Sequence, residues 1–163
     1  MDWFLWWGFS YWTYTSDVQL TLRMSGQRGG RLLDIGCGAG VHLRLFHRAG
    51  FDVEGVELSP QDCEIARRAA GCSIHQGTLE AAPLVSQSFD VITLFNTLEH
   101  LLNPQETVRA VYKLLRPGGW LVAKLPVSDG WQPTLLGRWW RSIREIPRHL
   151  CVPSTSGVHL LLE

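Results

Sequence analysis

Asp34-Ile35-Gly36-Cys37-Gly38-Ala39-Gly40 places three glycines within five residues, just behind an acid. A glycine-rich turn lets a ligand come close to the main chain. A helix that follows adds the positive potential of its amino end. Glu57 lies 21 residues after Gly36. A carboxylate at that distance, ending the next strand, can accept hydrogen bonds from both hydroxyls of a ribose. Glycines alone carry little information. Strand, glycines, helix and an acid ending the next strand together point to an adenosine-bearing ligand.

Two ligand classes use that arrangement. Dinucleotides favour a third glycine three residues after the second, and here that position is Val41, with Gly40 one residue early. Asp34 at the mouth of the loop would repel a pyrophosphate but suits an ammonium or sulfonium. S-adenosylmethionine carries both cations and no phosphate. The loop therefore favours a methyl donor over a nicotinamide dinucleotide.

The surrounding pattern supplies the elements that must hold these residues. Residues 31–35 read as a buried strand. Residues 41–49 read as a helix on Val41, Leu45 and Ala49, closed at Gly50. Strand 52–57 follows. Ser59, Pro60 and Asp62 are the cap, first-turn proline and acid of a helix ended by Gly71. A weak strand 72–76, a loop 77–88 and a β-branched strand 89–95 come next. Asn103-Pro104 opens a helix burying Val108, Val111 and Leu115, and after the Pro117-Gly118-Gly119 turn comes strand 120–125. Alternating strands and helices predict an α/β fold with a parallel sheet covered on both faces.

The motifs resemble those of class I S-adenosylmethionine-dependent methyltransferases. D-I-G-C-G-A-G is similar to their first motif, and Val56-Glu57-Leu58-Ser59 to the acidic end of their second strand. Residues 88–101, with Leu98-Glu99-His100, resemble the fourth strand and following segment of the ubiquinone- and menaquinone-biosynthesis branch. Leu114 to Gly119 and the Pro147-Arg148-His149-Leu150 element match the same branch. The resemblance covers residues 30–163 and does not specify a substrate. It implies a Rossmann-like doubly wound sheet of five strands in the order 3-2-1-4-5. The family's usual last two strands are missing, so a shortened or fragmentary chain is expected, and strand 5 would be an exposed edge unless another segment covers it.

By that resemblance Asp34 meets the methionine ammonium, and Gly36, Cys37, Gly38 and Gly40 line the donor. Glu57 holds the ribose, with Leu58 against the adenine. Thr78 stands where the family commonly has the acid that bonds the adenine amino group; Leu79 still offers backbone contacts. Asn96 lies beside the methionine portion. His100 and His149 are the catalytic candidates by residue type, with packing of a turn or lid as the alternative for each. Cys37 reads as a small loop residue rather than a nucleophile. His42, His47, His75 and His159 form no ligand cluster, so no metal is implied.

Composition narrows the partners. Fifteen Lys+Arg balance fifteen Asp+Glu, against a nucleic-acid partner held by bulk charge. Four cysteines without a C-x-x-C pair fit a reduced, cytoplasmic setting. No apolar run reaches the ~18–20 residues that span a bilayer. Seven of eight tryptophans lie near the two ends: Trp3, Trp6, Trp7, Trp12, Trp131, Trp139 and Trp140. A helix over 134–146 would gather Leu135, Leu136, Trp139, Trp140, Ile143 and Ile146 on one side, opposite Arg138, Arg141 and Arg144. That is a packed surface helix, a lid or an interfacial helix. Residues 18–24 alternate like a strand where the family places a helix, and both readings stay open. The organisation expected is a Trp-rich cap (1–29), a donor-binding core (30–126) and a lid or acceptor segment (127–163).

The expectation is a methyltransferase acting on carbon or oxygen of a small or lipid-like acceptor. A donor-binding but inactive domain is the second reading, and a nicotinamide-dependent oxidoreductase the third.

Overall fold

The computed structural model describes residues 3–140, 142, 145 and 147–162, with side chains from residue 13 onward. The side chains of Trp3, Trp6, Trp7 and Trp12 lie outside the described residues, as do Arg141, Ile143, Arg144 and Ile146. A long helix α1 (Trp3–Ser25) leads into β1 (Gly30–Ile35), α2 (Val41–Arg48), β2 (Phe51–Glu57), α3 (Pro60–Ala70) and β3 (Ser73–Gln76). Then come β4 (Phe89–Phe95), α4 (Pro104–Leu114), β5 (Leu115–Lys124), α5 (Trp131–Leu136) and α6 (Thr155–Leu162), with single 3-10 turns at Leu79–Ala81, Leu98–His100 and Gly137–Trp139.

The five strands form one sheet in the order β3-β2-β1-β4-β5, every adjacent pair parallel. The expected order is the one found. Period-two alternation sends successive side chains to opposite faces. Leu32 packs with Leu43, Phe46 and Cys63 on the α2–α3 side, whereas Leu33 packs with Leu94, Leu98 and Val111 on the α4 side. Every residue of β4 is buried, as a central strand of a two-faced sheet requires.

Several local expectations hold with their chemistry. Ser59 accepts from the Asp62 amide at 3.2 Å, Pro60 opens α3, and Gly71 closes it with a left-handed φ of 66°. Others need correction. α2 buries His42, Leu43 and Phe46, while Val41, Leu45 and Ala49 are half-buried at the side of that face. Asn103 makes no side-chain cap, and α4 buries Thr107, Val111 and Leu114, with Val108 only half-buried. β5 begins at Leu115 and carries Pro117-Gly118-Gly119 within it, as a register irregularity opposite Phe89 and Val91. Arg116 forms an ion pair with Asp90 there, which ties this stretch to β4.

Residues 18–24 are helical, because Val18, Thr21 and Ser25 bury one face of α1. Among the described residues the helix expected over 134–146 is interrupted after Leu136, and Arg141, Ile143, Arg144 and Ile146 fall outside them. α5 ends at Leu136, Gly137 takes φ 49°, and Trp131, Leu135 and Trp139 are exposed while Trp140 is buried. β5 is the sheet edge, and no further strand follows it among the described residues. Nor is any helix among them long and apolar enough to cross a membrane.

Candidate functional site

The strand order reverses at β1, which lies between β2 and β4. In open α/β sheets ligands bind outside the carboxyl ends of the strands at that point. A cleft of about 550 Å³ opens there. Gly36, Glu57, Leu58, Thr78, Leu79, Asn96 and His100 all line it. Residues from four separate loops are thus brought together.

The glycine loop is held by Glu57. The amide of Gly38 donates to its Oε2 and the amide of Ser59 to its Oε1, both at 2.9 Å. The amides of Gly36 and Cys37 donate to the Val56 carbonyl at 2.8 and 3.2 Å. Gly36 has φ 72°, and a Cβ on it would lie 2.6 Å from Thr97 Oγ1, so the loops after β1 and β4 close on each other only over a glycine. Gly40 serves packing: a Cβ there would meet Ala66 of α3 at 3.0 Å. Gly38 has open space on that side.

Asp34 is buried rather than at the mouth of the cleft. Thr93 donates to its Oδ1 at 2.7 Å, and its Oδ2 has no hydrogen-bond partner. Burial pushes its pKa up to about 6, against the opposing effects of His42 and Thr93. Cys37 is likewise a core residue. Its Sγ would meet a Cβ on Gly55 at 2.7 Å, and burial, reinforced by Asp34 and Glu57, pushes its thiol pKa up. Neither Asp34, Cys37, Gly38 nor Gly40 is among the cleft's lining residues.

Beyond Asn96 and His100 lies a second cavity of about 420 Å³, under β5 and the segment around His149. His100 borders both spaces. Its Nδ1 donates to the Arg148 carbonyl at 2.7 Å, and among the described residues Nε2 is left as the free nitrogen. His149 is engaged at both nitrogens, by the Ser142 carbonyl at 3.0 Å and Glu145 Oε2 at 3.0 Å. The amides of Leu150 and Cys151 donate to the Glu99 carbonyl at 2.8 and 3.2 Å. The Pro147–Leu150 element therefore docks on the Leu98–His100 turn.

Sequence reasoning missed Glu99. It is 2% exposed, and donor atoms of Glu99, His100 and His149 lie within 4.8 Å of one another. The only sequence signal was its place beside His100, and nothing in the spacing ties residue 99 to residue 149.

A family model described as "Methyltransferase domain" matches residues 11–163. The chain belongs to this family. The membership sets aside the dinucleotide reading that Val41 and Asp34 disfavoured. The chain is 37% identical over 106 residues to a ubiquinone biosynthesis O-methyltransferase of Pectobacterium atrosepticum, across 61% of this chain and 44% of that one. It is 33% identical over 100 residues to the protein of that name from Bordetella avium, across 58% of this chain and 42% of that one. Each match covers under half of the relative's length. Among solved structures, a SAM-dependent methyltransferase from Thermotoga maritima superposes with a TM-score of 0.76 at 26% identity, over 99% of this chain and 72% of that one.

Proposed function

We propose that this domain moves a methyl group from S-adenosylmethionine to a hydroxyl of a small or lipid-like molecule. The carrying observation is Glu57. Two backbone amides fix its carboxylate at the cleft wall, so its remaining lone pairs are aimed before a ribose arrives. The cleft's volume and its open rim at Leu58 fit a nucleoside. The orphaned Oδ2 of Asp34 fits a cation held at the loop, directly or through water. The O-methyltransferase names of the relatives favour oxygen over carbon.

Bound there, the donor supplies an activated methyl carbon with a good leaving group. The chain's work is then placement. Glu57 and the Gly36 loop orient the adenosine end, and Leu79 presents its backbone to the adenine. Asn96 sits where the two cavities meet, with a left-handed φ of 52° and its amide bonded to the Lys124 carbonyl at 2.7 Å. His100 borders the acceptor there with its free Nε2. His149 acts as a positioning residue, since both its nitrogens are engaged. Holding reactants at ~3–3.5 Å can account for several kcal/mol of the barrier.

Residues 30–126 carry the donor in this reading, and 127–163 close over the acceptor. Exposed Trp131, Leu135 and Trp139 beside Arg138, which lies over the Trp139 ring, suit peripheral contact with a lipid surface. Calorimetric titration with S-adenosylmethionine, S-adenosylhomocysteine and NAD tests the donor. The two sulfur ligands bind and NAD does not. Binding of NAD, or silence from all three with a folded chain, overturns the reading.

A further inference from the structure

We propose that the second cavity receives the hydroxyl end of the methyl acceptor, and that Glu99 takes that hydroxyl's proton. The inference rests on the methyltransferase reading and names the residue that prepares the acceptor.

Three observations carry it. First, position: the cavity shares Asn96 and His100 with the donor cleft, so a molecule seated in it meets the donor's methionine end where these two residues border both spaces. Second, lining: Glu99, Lys124, Gln132, Glu145 and His149 make this end polar, which suits a hydroxyl-bearing group rather than a hydrocarbon. Third, an unmet need: Glu99 lines the cavity while 2% exposed, and among the described residues no other donates to its carboxylate and its Oε2, sealed from solvent, has no partner. A buried carboxylate oxygen left unpaired is costly, and native proteins keep few of them. An acceptor O–H supplies the missing donor.

The charges facing Glu99 are His100 on its own turn, His149 and Glu145 on the docked segment, and Lys124 on β5. Burial dominates and holds its carboxyl above the ordinary glutamate range, against the opposing pull of the two histidines. A carboxylate shifted upward is a better base near neutral pH than an ordinary one. The histidines are worse placed for this proton. His149 has both nitrogens occupied, and His100 is exposed at the junction. In the step itself the acceptor's O–H bond breaks, its electron pair stays on the acceptor oxygen, and the proton forms a new O–H bond on Glu99.

The test uses two chromophoric probes, 4-nitrophenol and 4-nitroanisole, titrated into the full chain saturated with S-adenosylhomocysteine. Only the phenol has a proton to give, and its ionised form is yellow. At pH 6 the wild type binds the phenol at least about tenfold more tightly than Glu99→Gln does. Binding to the wild type raises phenolate absorbance, and binding to Glu99→Gln does not. The anisole separates the two proteins by less than about twofold. Equal phenol binding by both proteins, or no absorbance change in the wild type, overturns the proposal. So does failure of both probes to bind while S-adenosylhomocysteine still does. If the variant also loses S-adenosylhomocysteine, Glu99→Asp replaces it, and a retained absorbance change in that variant supports the proposal. Phenol binding abolished by a chelator and restored by magnesium would overturn it, because Glu99 would then be holding a cation. Loss of S-adenosylhomocysteine binding by the wild type defeats the parent reading instead, and shows itself before any probe is added.

Discussion

Glu57 and Gly38 are joined across β2 and the loop after β1: the Gly38 amide donates to Glu57 Oε2 at 2.9 Å. The same carboxylate accepts from Ser59 through Oε1. One side chain thus shapes the loop and offers its spare lone pairs to a ligand. Glu57→Ala removes the ribose acceptor and leaves two amides without their partner. Donor affinity falls by about 10- to 100-fold, read by calorimetry with S-adenosylhomocysteine. An unchanged dissociation constant in a folded variant would show that the ribose lies elsewhere.

The glycines of the loop differ in what they tolerate. Gly36→Ala combines φ 72° with a Cβ at 2.6 Å from Thr97 Oγ1, and is expected to destabilise by about 2–4 kcal/mol. Gly38→Ala has φ 50° but nothing within 4 Å, so only the backbone penalty of ~1–2 kcal/mol applies. Urea unfolding of both variants checks the order. Equal destabilisation would mean that Thr97 swings away freely.

The parts legible from sequence are those where local chemistry and burial agree. Ser59, Pro60 and Gly71 each do locally what their types favour, so α3 could be read at both ends. β4 has no polar face to confuse its pattern. The misreadings fall where tertiary contacts decide. Asn103 has the right type for a cap, yet its backbone (φ −134°, ψ 75°) is that of an irregular turn. The tryptophan-rich wheel over 134–146 treated Gly137 as helical, though at φ 49° and ψ −125° it takes a backbone that no helix interior accommodates and that only glycine adopts freely. In the site, the glycine loop and Glu57 were readable because they lie in one βαβ unit. Glu99 and His149 meet only because the chain returns after β5, and no periodicity encodes that.

Asp17 links three elements. Its carboxylate meets His42 of α2 at 3.4 Å and Lys124 of β5 at 2.9 Å. Burial pushes its pKa up, but the bonds from His42 and Lys124 outweigh burial and hold it below the ordinary range. Asp17→Ala removes this tie between α1 and the edge strand, and leaves the buried His42 without its acid. The expected loss is about 1–3 kcal/mol, or roughly 2–10 °C in Tm. Proteolysis near Ser25 should speed up in step. A melting temperature within about a degree of wild type would show that α1 docks through apolar contacts alone.

Asp34 sets stability against binding. Its folded pKa is raised to about 6 from 3.8, so between those values the folded state holds a proton that the unfolded chain has released. Its contribution is therefore fully present below 3.8 and is lost as pH rises through 6. Asp34→Asn cannot ionise, and its side-chain carbonyl can still accept from Thr93. At pH 7 the variant should be more stable than wild type by up to roughly 3 kcal/mol, with the fall between pH 4 and 6 flattened. The same change removes the negative charge proposed to face the donor's ammonium, so affinity for S-adenosylhomocysteine should drop by about tenfold or more. Opposite movement of the two quantities is the signature of a strained functional group. Denaturation from pH 4 to 8, paired with calorimetry at pH 7, reads both. A variant that loses stability at pH 7 while keeping donor affinity would show that Asp34 serves the core rather than the ligand.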